Sequence, residues 1–224
     1  MRRRPSRELL DSDSGTPAEI AAALRDLESF NRRLGGITTT REMVRNVALA
    51  TGKSDFSLLE VAAGNGFVPV NAAADLKPAG IRLRTTLLDR ARTHLPQNGI
   101  ALKVAADAVT LPFSDSSFDV VSCSLFVHHL SPQQVSEFIR ESLRVARVAV
   151  LVNDLVRHPL HLALAYAGVP LYRSRITRND APASVRQAYT LNETRQLLFE
   201  GGAAKVQTQT HYLFRMGLIA WKQI

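Results

Sequence analysis

The stretch Ser57-Leu58-Leu59-Glu60-Val61-Ala62-Ala63-Gly64-Asn65-Gly66-Phe67 is an apolar run that ends near an acid, crosses two glycines and continues into a helix-forming segment. Read as strand, turn and helix, it decides the fold class, because glycine in such a turn lets the backbone come close to a ligand where a Cβ would intrude. Working outward, Leu83 to Leu88 is a second apolar run closed by Asp89, twenty-three residues after Gly66, and Ala101 to Ala105 is a third, followed by Asp107. Strands alternating with helical segments predict an α/β chain built on a doubly wound, mostly parallel sheet. In such a sheet ligands lie across the carboxyl ends of the strands, so Glu60, Asp89 and Asp107 line one crevice. Any one of these acids alone is more often a turn or cap residue; the ordered series carries the reading.

An acid ending the second strand suits the two hydroxyls of a ribose, which leaves two nucleotide classes in competition. A dinucleotide-binding turn requires Gly-x-Gly-x-x-Gly, and its third glycine position is Pro69 here. A P-loop requires Gly-Lys-Ser/Thr after the turn, and none follows. An adenosine without a pyrophosphate remains.

These residues resemble those of the class I S-adenosylmethionine-dependent methyltransferases, over roughly residues 30 to 224. Leu59 to Gly66 is similar to the family's first motif and Leu88-Asp89 to its ribose-binding acid. Ala106-Asp107-Ala108, with Leu111-Pro112-Phe113 and Phe118-Asp119-Val120-Val121, resembles its adenine-contact segment and fourth strand. One departure is Ala62, standing where the motif usually has its first glycine, a variant familiar from methyltransferases of quinone synthesis. The resemblance implies a seven-stranded sheet, S-adenosyl-L-methionine as cofactor, and a cofactor-binding set of Glu60, Ala62, Gly64, Gly66, Asp89, Arg90, Asp107, Ala108 and Ser124.

Composition agrees. The 224 residues are 46% hydrophobic, enough for one core, and one cysteine, Cys123, excludes a disulfide framework and a zinc set. No apolar run is long enough to span a bilayer, and Arg2-Arg3-Arg4 is followed by no signal core, which predicts a cytoplasmic protein. The net charge of +8 could mark a nucleic-acid partner. Its arginines are dispersed, however, with no basic helix interleaved with aromatics, so a solvated face is the favoured reading.

Residues 1–16 mix charge with Ser, Gly and Pro and are expected to be disordered. A single domain follows, 17–224, with an N-terminal helical cap over 17–52. Thr16-Pro17 opens its first helix, which Gly35-Gly36 ends, and a second runs from about Thr39 to Thr51. Strands are expected near 82–88, 101–105, 118–124 and 148–152, with a short helix near 90–95. Ser131-Pro132-Gln133-Gln134 and Thr190-Leu191-Asn192-Glu193 read as capping boxes, and Lys205 to Trp221 as a terminal hairpin breaking near His211-Tyr212. Residues 157–189, which combine Leu160, Leu164, Tyr166 and Tyr172 with Arg173, Arg175 and Arg178, form the candidate substrate lid.

For the acceptor, Phe126-Val127-His128-His129-Leu130 places two histidines just past the fourth strand. A phenol or enol becomes a nucleophile when a base takes its proton, and histidine suits that task. Neighbours in an extended loop point opposite ways, so one histidine is expected to face the methyl group, with His129 favoured over His128. Ser124 stands where catechol-type enzymes of the family carry a metal-binding acid, although Asn153-Asp154 resembles their second pair. His158 and His161 lack a third ligand, so no metal site is expected. The Asp/Asn-Pro-Pro-aromatic motif of base N-methyltransferases is absent from Ser122-Cys123-Ser124-Leu125-Phe126. Leu27 to Gly36 and Asn153 to Leu160 are similar to small methyltransferases associated with type III polyketide synthases, which implies a small phenolic or polyketide-derived acceptor of secondary metabolism. Oxygen methylation is the first reading. Carbon methylation of a quinone-type ring, an RNA or protein acceptor, and a non-catalytic adenosyl-binding module are the alternatives, and the oligomeric state is open.

Overall fold

The computed structural model describes residues 1–12, 14–96, 101–211 and 213–223. Helices α1 (Pro17–Arg33) and α2 (Gly36–Thr51) precede β1 (Asp55–Val61). In chain order there follow α3 (Phe67–Leu76), β2 (Arg82–Asp89), β3 (Leu102–Ala105), β4 (Phe118–Ser124), α4 (Pro132–Val145), β5 (Ala146–Leu155), α5 (Pro159–Ala167), α6 (Arg175–Gln187), α7 (Leu191–Glu200), β6 (Lys205–His211) and β7 (Arg215–Trp221).

These strands form one seven-stranded sheet in the order β3-β2-β1-β4-β5-β7-β6. Pairing is parallel from β3 to β5. It is antiparallel from β5 to β7 and from β7 to β6. The strand order reverses beside β1, which creates the crevice where an open sheet binds its ligand.

Both faces of the sheet are covered, as the near-continuous apolar strands require. On one face Leu59, Val61, Val121, Cys123, Val150 and Val152 pack with Phe138 and Ile139 of α4 and Leu198 of α7. On the other, Leu58, Val120, Leu151 and Ile219 pack with Met43, Val44 and Val47 of α2. Burial also raises the pKa of the Cys123 thiol, which keeps it in its neutral form.

Both anticipated capping boxes form, and the Thr16 N-cap proves to be a third. Thr16 and Glu19, Ser131 and Gln134, and Thr190 and Glu193 each exchange side-chain and backbone hydrogen bonds, so α1, α4 and α7 start where their sequences direct. Three elements depart from expectation. Helix α2 begins at Gly36, three residues early, because Gly35 turns the chain in the left-handed region at φ 80°. No helix forms over 90–95, where the backbone only turns. Strand β5 continues to Leu155, because β7 pairs with it as far as Leu155 and Arg215. Tyr212, expected at the hairpin break, lies outside the described residues.

The start of the chain also corrects the reading from composition. Arg3 donates to the carbonyls of Gln187, His128 and Leu130, and its guanidinium sits 4.1 Å from the centre of the Tyr189 ring. The amides of Leu9 and Leu10 donate to the Asp180 carboxylate. Glu8 is buried, accepting bonds from Ser184 Oγ and Gln187 Nε2 at 2.6 Å. Charged residues that suggested disorder are thus anchors along α6.

Candidate active site

The turn from β1 to α3 is shaped by three left-handed residues, Ala62 at φ 54°, Gly64 at φ 50° and Gly66 at φ 73°. Position 62 keeps a conformation that favours glycine, and alanine bears it at a cost of roughly 1–2 kcal/mol. The two glycines serve different ends. A Cβ on Gly66 would strike Leu87 at 2.6 Å, whereas one on Gly64, which lines the crevice, would meet nothing within 4 Å. Asp89 secures the turn, its carboxylate accepting from Gly64 N at 2.8 Å and Ala91 N at 2.9 Å.

Glu60, Ala62, Gly64, Asp89, Arg90, Asp107, Ala108 and Ser124 all line one cavity of about 660 Å³, while Gly66 lies behind it. That volume is within the range of about 300–1,000 Å³ for small-molecule pockets. Glu60 is fully buried, and burial pushes its carboxyl up to about 7, with the Ser122 and Ser124 hydroxyls pulling it back. Neither serine makes a well-formed bond to it, so Glu60 Oε2 and Ser124 Oγ remain buried polar atoms without partners. Asp107 is exposed and accepts from Val109 N at 3.0 Å. Room over Gly64 and orphaned oxygens beside it are what an absent polar ligand would leave.

Opposite this loop, the chain leaves β4 through Leu125, at φ 56°, into a 3₁₀ turn over Val127–His129. The tight turn overturns the expectation that the histidines point apart. Their ring centroids lie 4.1 Å apart and both line the cavity. His128 is 2% exposed, with Nδ1 2.6 Å from Asp154 Oδ1, and its amide donates to Asp154 Oδ2 at 3.1 Å. Burial opposes ionisation of Asp154, but His128 holds its carboxyl below the usual range. An ionised Asp154 accepts from an Nδ1–H, so in the neutral ring the lone pair lies on Nε2. Nε2 lies 3.7 Å from Glu8 Oε1.

His129 is differently placed. Its Nδ1 lies 2.8 Å from Asp11 Oδ2. Burial works against its charge, yet Asp11, Glu8 and Asp154 outweigh burial and raise it to about 9. A histidine protonated at neutral pH cannot accept a proton, which reverses the preference drawn from sequence.

Glu8 and Asp11 were not among the candidates, and Asp154 entered only in the comparison of Asn153-Asp154 with a metal-binding pair. Asp154 ends a strand as Glu60 and Asp89 do, and that rule could have found it; Glu8 lies 120 residues before His128 and carries no local signal. One donor atom each from Glu8, His128 and His129 lies within 4.8 Å of the other two, a set able to hold a metal ion that sequence spacing did not reveal. The candidate lid lines the cavity through Leu164, Tyr172, Ile176 and Val185. Arg173, Arg175 and Arg178 face outward. No helix among the described residues is long and apolar enough to cross a membrane.

Residues 59–150 match the methyltransferase domain family. The chain is 34% identical over 134 residues to the demethylmenaquinone methyltransferase of Roseiflexus sp. (strain RS-1), covering 58% of this chain and 55% of that protein. It thus spans about half the length of that relative. Among solved structures, the plantazolicin methyltransferase BpumL, in complex with a monoazolic desmethylPZN analogue and SAH, aligns at TM-score 0.68 and 14% identity, over 96% of this chain and 93% of that one. Magnesium protoporphyrin IX methyltransferase from Synechocystis PCC 6803 with bound SAH aligns at 0.52 and 15% identity, over 83% and 84%. At these identities the likeness is one of fold.

Proposed function

We propose that this chain is a class I S-adenosylmethionine-dependent methyltransferase and that it methylates a small phenolic or polyketide-derived acceptor at oxygen with His128 as general base. The observation that carries this reading is the buried His128–Asp154 pair, whose histidine lines the same cavity as the Gly64 turn.

S-adenosylmethionine, when bound, supplies an electrophilic methyl group on a sulfonium. The residues that would hold it are the Gly64 backbone, whose open side leaves room for a ligand, Asp89 for the ribose, Asp107 and Ala108 for the base, and Glu60 and Ser124 for remaining polar groups. His128 Nε2 takes the acceptor's hydroxyl proton, and Asp154 balances the imidazolium that results. Bound S-adenosylmethionine would supply the methyl group to that oxygen and would leave as S-adenosylhomocysteine, with the acceptor's proton held on His128. Holding acceptor and methyl donor in line within one cavity would supply much of the remaining acceleration.

Carbon methylation of a quinone-type ring is the second reading, favoured by the identity to a demethylmenaquinone methyltransferase. The same base serves it, because deprotonating a phenol enriches its ortho and para carbons as well. Incubation with ¹³C-methyl cofactor and a panel of phenols and hydroxyquinones tests both, with NMR separating O-methyl from C-methyl products. Transfer to oxygen that vanishes in His128→Gln, with S-adenosylhomocysteine binding retained, is the expected result; undiminished transfer in His128→Gln would overturn the base assignment.

A further inference from the structure

Arg215 opens β7 beside the end of β5 and lines the same cavity, yet it is 3% exposed. Its Nη1 donates to Asn153 Oδ1 at 3.1 Å and its Nη2 to Asn31 Oδ1 at 3.2 Å. Both partners are neutral amide oxygens. Among the described residues no carboxylate lies within ion-pair distance of it. Asp154, the acid that acts on it from further away, is already bonded to His128 and to the Leu155 amide.

A guanidinium buried without a counter-ion is unfavourable, because the two amide bonds do not replace the water and anion it would otherwise have. Burial lowers Arg215 to about 10, with Asp154 opposing, so it stays charged at neutral pH. Its place is enforced. The turn before it holds Leu213 at φ 47° and Phe214 at φ 62°, Phe214 O accepts from Val156 N at 2.7 Å, and the Phe214 ring stacks on His158 and His161. The Asn153 amide that accepts from Arg215 also donates to Gly36 O and Thr40 Oγ1, so it cannot swing away.

We propose that Arg215 binds a carboxylate on the acceptor, so that the preferred substrates are hydroxylated aromatic or polyketide acids and not the corresponding neutral phenols. This deepens the methyl-transfer reading and rests on it. The guanidinium fork presents paired N–H groups that match a carboxylate's two oxygens, and a ligand carboxylate would supply the charge that Arg215 lacks.

The test is calorimetry on the full chain saturated with S-adenosylhomocysteine, using two probe pairs that differ only by a carboxylate. They are 2,4-dihydroxy-6-pentylbenzoate with 5-pentylresorcinol, and 4-hydroxybenzoate with phenol. In at least one pair the acid is expected to bind more tightly by about tenfold or more, as hydrogen bonds to a charged partner provide. Arg215→Gln is expected to bind S-adenosylhomocysteine as before and lose the preference, while Arg215→Lys retains part of it. Equal affinities within both pairs, no binding of any probe, or a preference that survives in Arg215→Gln overturns the proposal. Should Arg215→Gln not fold, the wild-type comparison decides alone. Failure of the methyl-transfer reading is seen separately, as absence of S-adenosylhomocysteine binding.

Discussion

Replacing Asp154 by Asn exposes the work of the buried pair. The carboxylate fixes the proton on His128 Nδ1 at 2.6 Å and holds the His128 amide through its other oxygen. An amide of the same shape can turn either its oxygen or its NH₂ toward Nδ1. When the NH₂ faces the ring, the proton moves to Nε2 and the base is lost; when the oxygen faces it, the tautomer survives but the imidazolium loses its counter-charge. Positioned proton transfer contributes about 10²–10⁴-fold, so kcat is expected to fall by roughly that factor, or about 3–5 kcal/mol. Cofactor affinity should hold, since Asp154 does not touch the Gly64 turn. The assay is methyl transfer followed by mass spectrometry from pH 6 to 10, beside calorimetry with S-adenosylhomocysteine. The deficit should shrink toward pH 10, where a phenol ionises unaided. A folded Asp154→Asn protein with kcat within about threefold of wild type would refute the dyad.

Gly64→Ala separates binding from folding. The left-handed φ of 50° costs alanine roughly 1–2 kcal/mol by thermal melting, but the new Cβ meets no protein atom, so the fold persists while cofactor binding is lost; retained binding would remove Gly64 from the site. The Asp11–His129 contact makes a pH prediction. With His129 raised from 6.5 to about 9, its stabilisation is complete below about 6.5 and is lost as pH rises through 9. Melting temperature should therefore decline more steeply over that window in wild type than in His129→Gln, and parallel curves would contradict the pairing. Finally, Zn²⁺ is expected to inhibit by occupying Glu8, His128 and His129, with recovery on chelation and weaker inhibition in Glu8→Gln. Inhibition unaltered by Glu8→Gln would place the ion elsewhere.

Features encoded locally were legible. The strand-turn-helix around Gly64, the acids at the ends of β1 and β2, the N-cap at Thr16 and the capping boxes at Ser131 and Thr190 each depend on residues a few positions apart. What escaped depends on distant partners. Asp154 sits on a strand because β7 extends β5, and Glu8 is structural because Ser184 and Gln187 lie 176 and 179 residues away. The two histidines were expected to diverge as in an extended loop, yet a 3₁₀ turn brings their rings together. Charge on His129 came from Asp11, in a segment whose composition suggested disorder. Arg215 gave no sign, since an arginine opening an apolar strand reads as a surface residue until the cavity beside it is seen.

Calorimetric titration of the purified chain with S-adenosylhomocysteine, with NADH as control, tests the central claim most directly. The account predicts micromolar binding of S-adenosylhomocysteine, none of NADH, and loss of the former in Gly64→Ala. No binding of S-adenosylhomocysteine to the folded wild-type protein would contradict it, because the turn, the acids and the orphaned oxygens would then frame a crevice without the cofactor on which the chemistry depends.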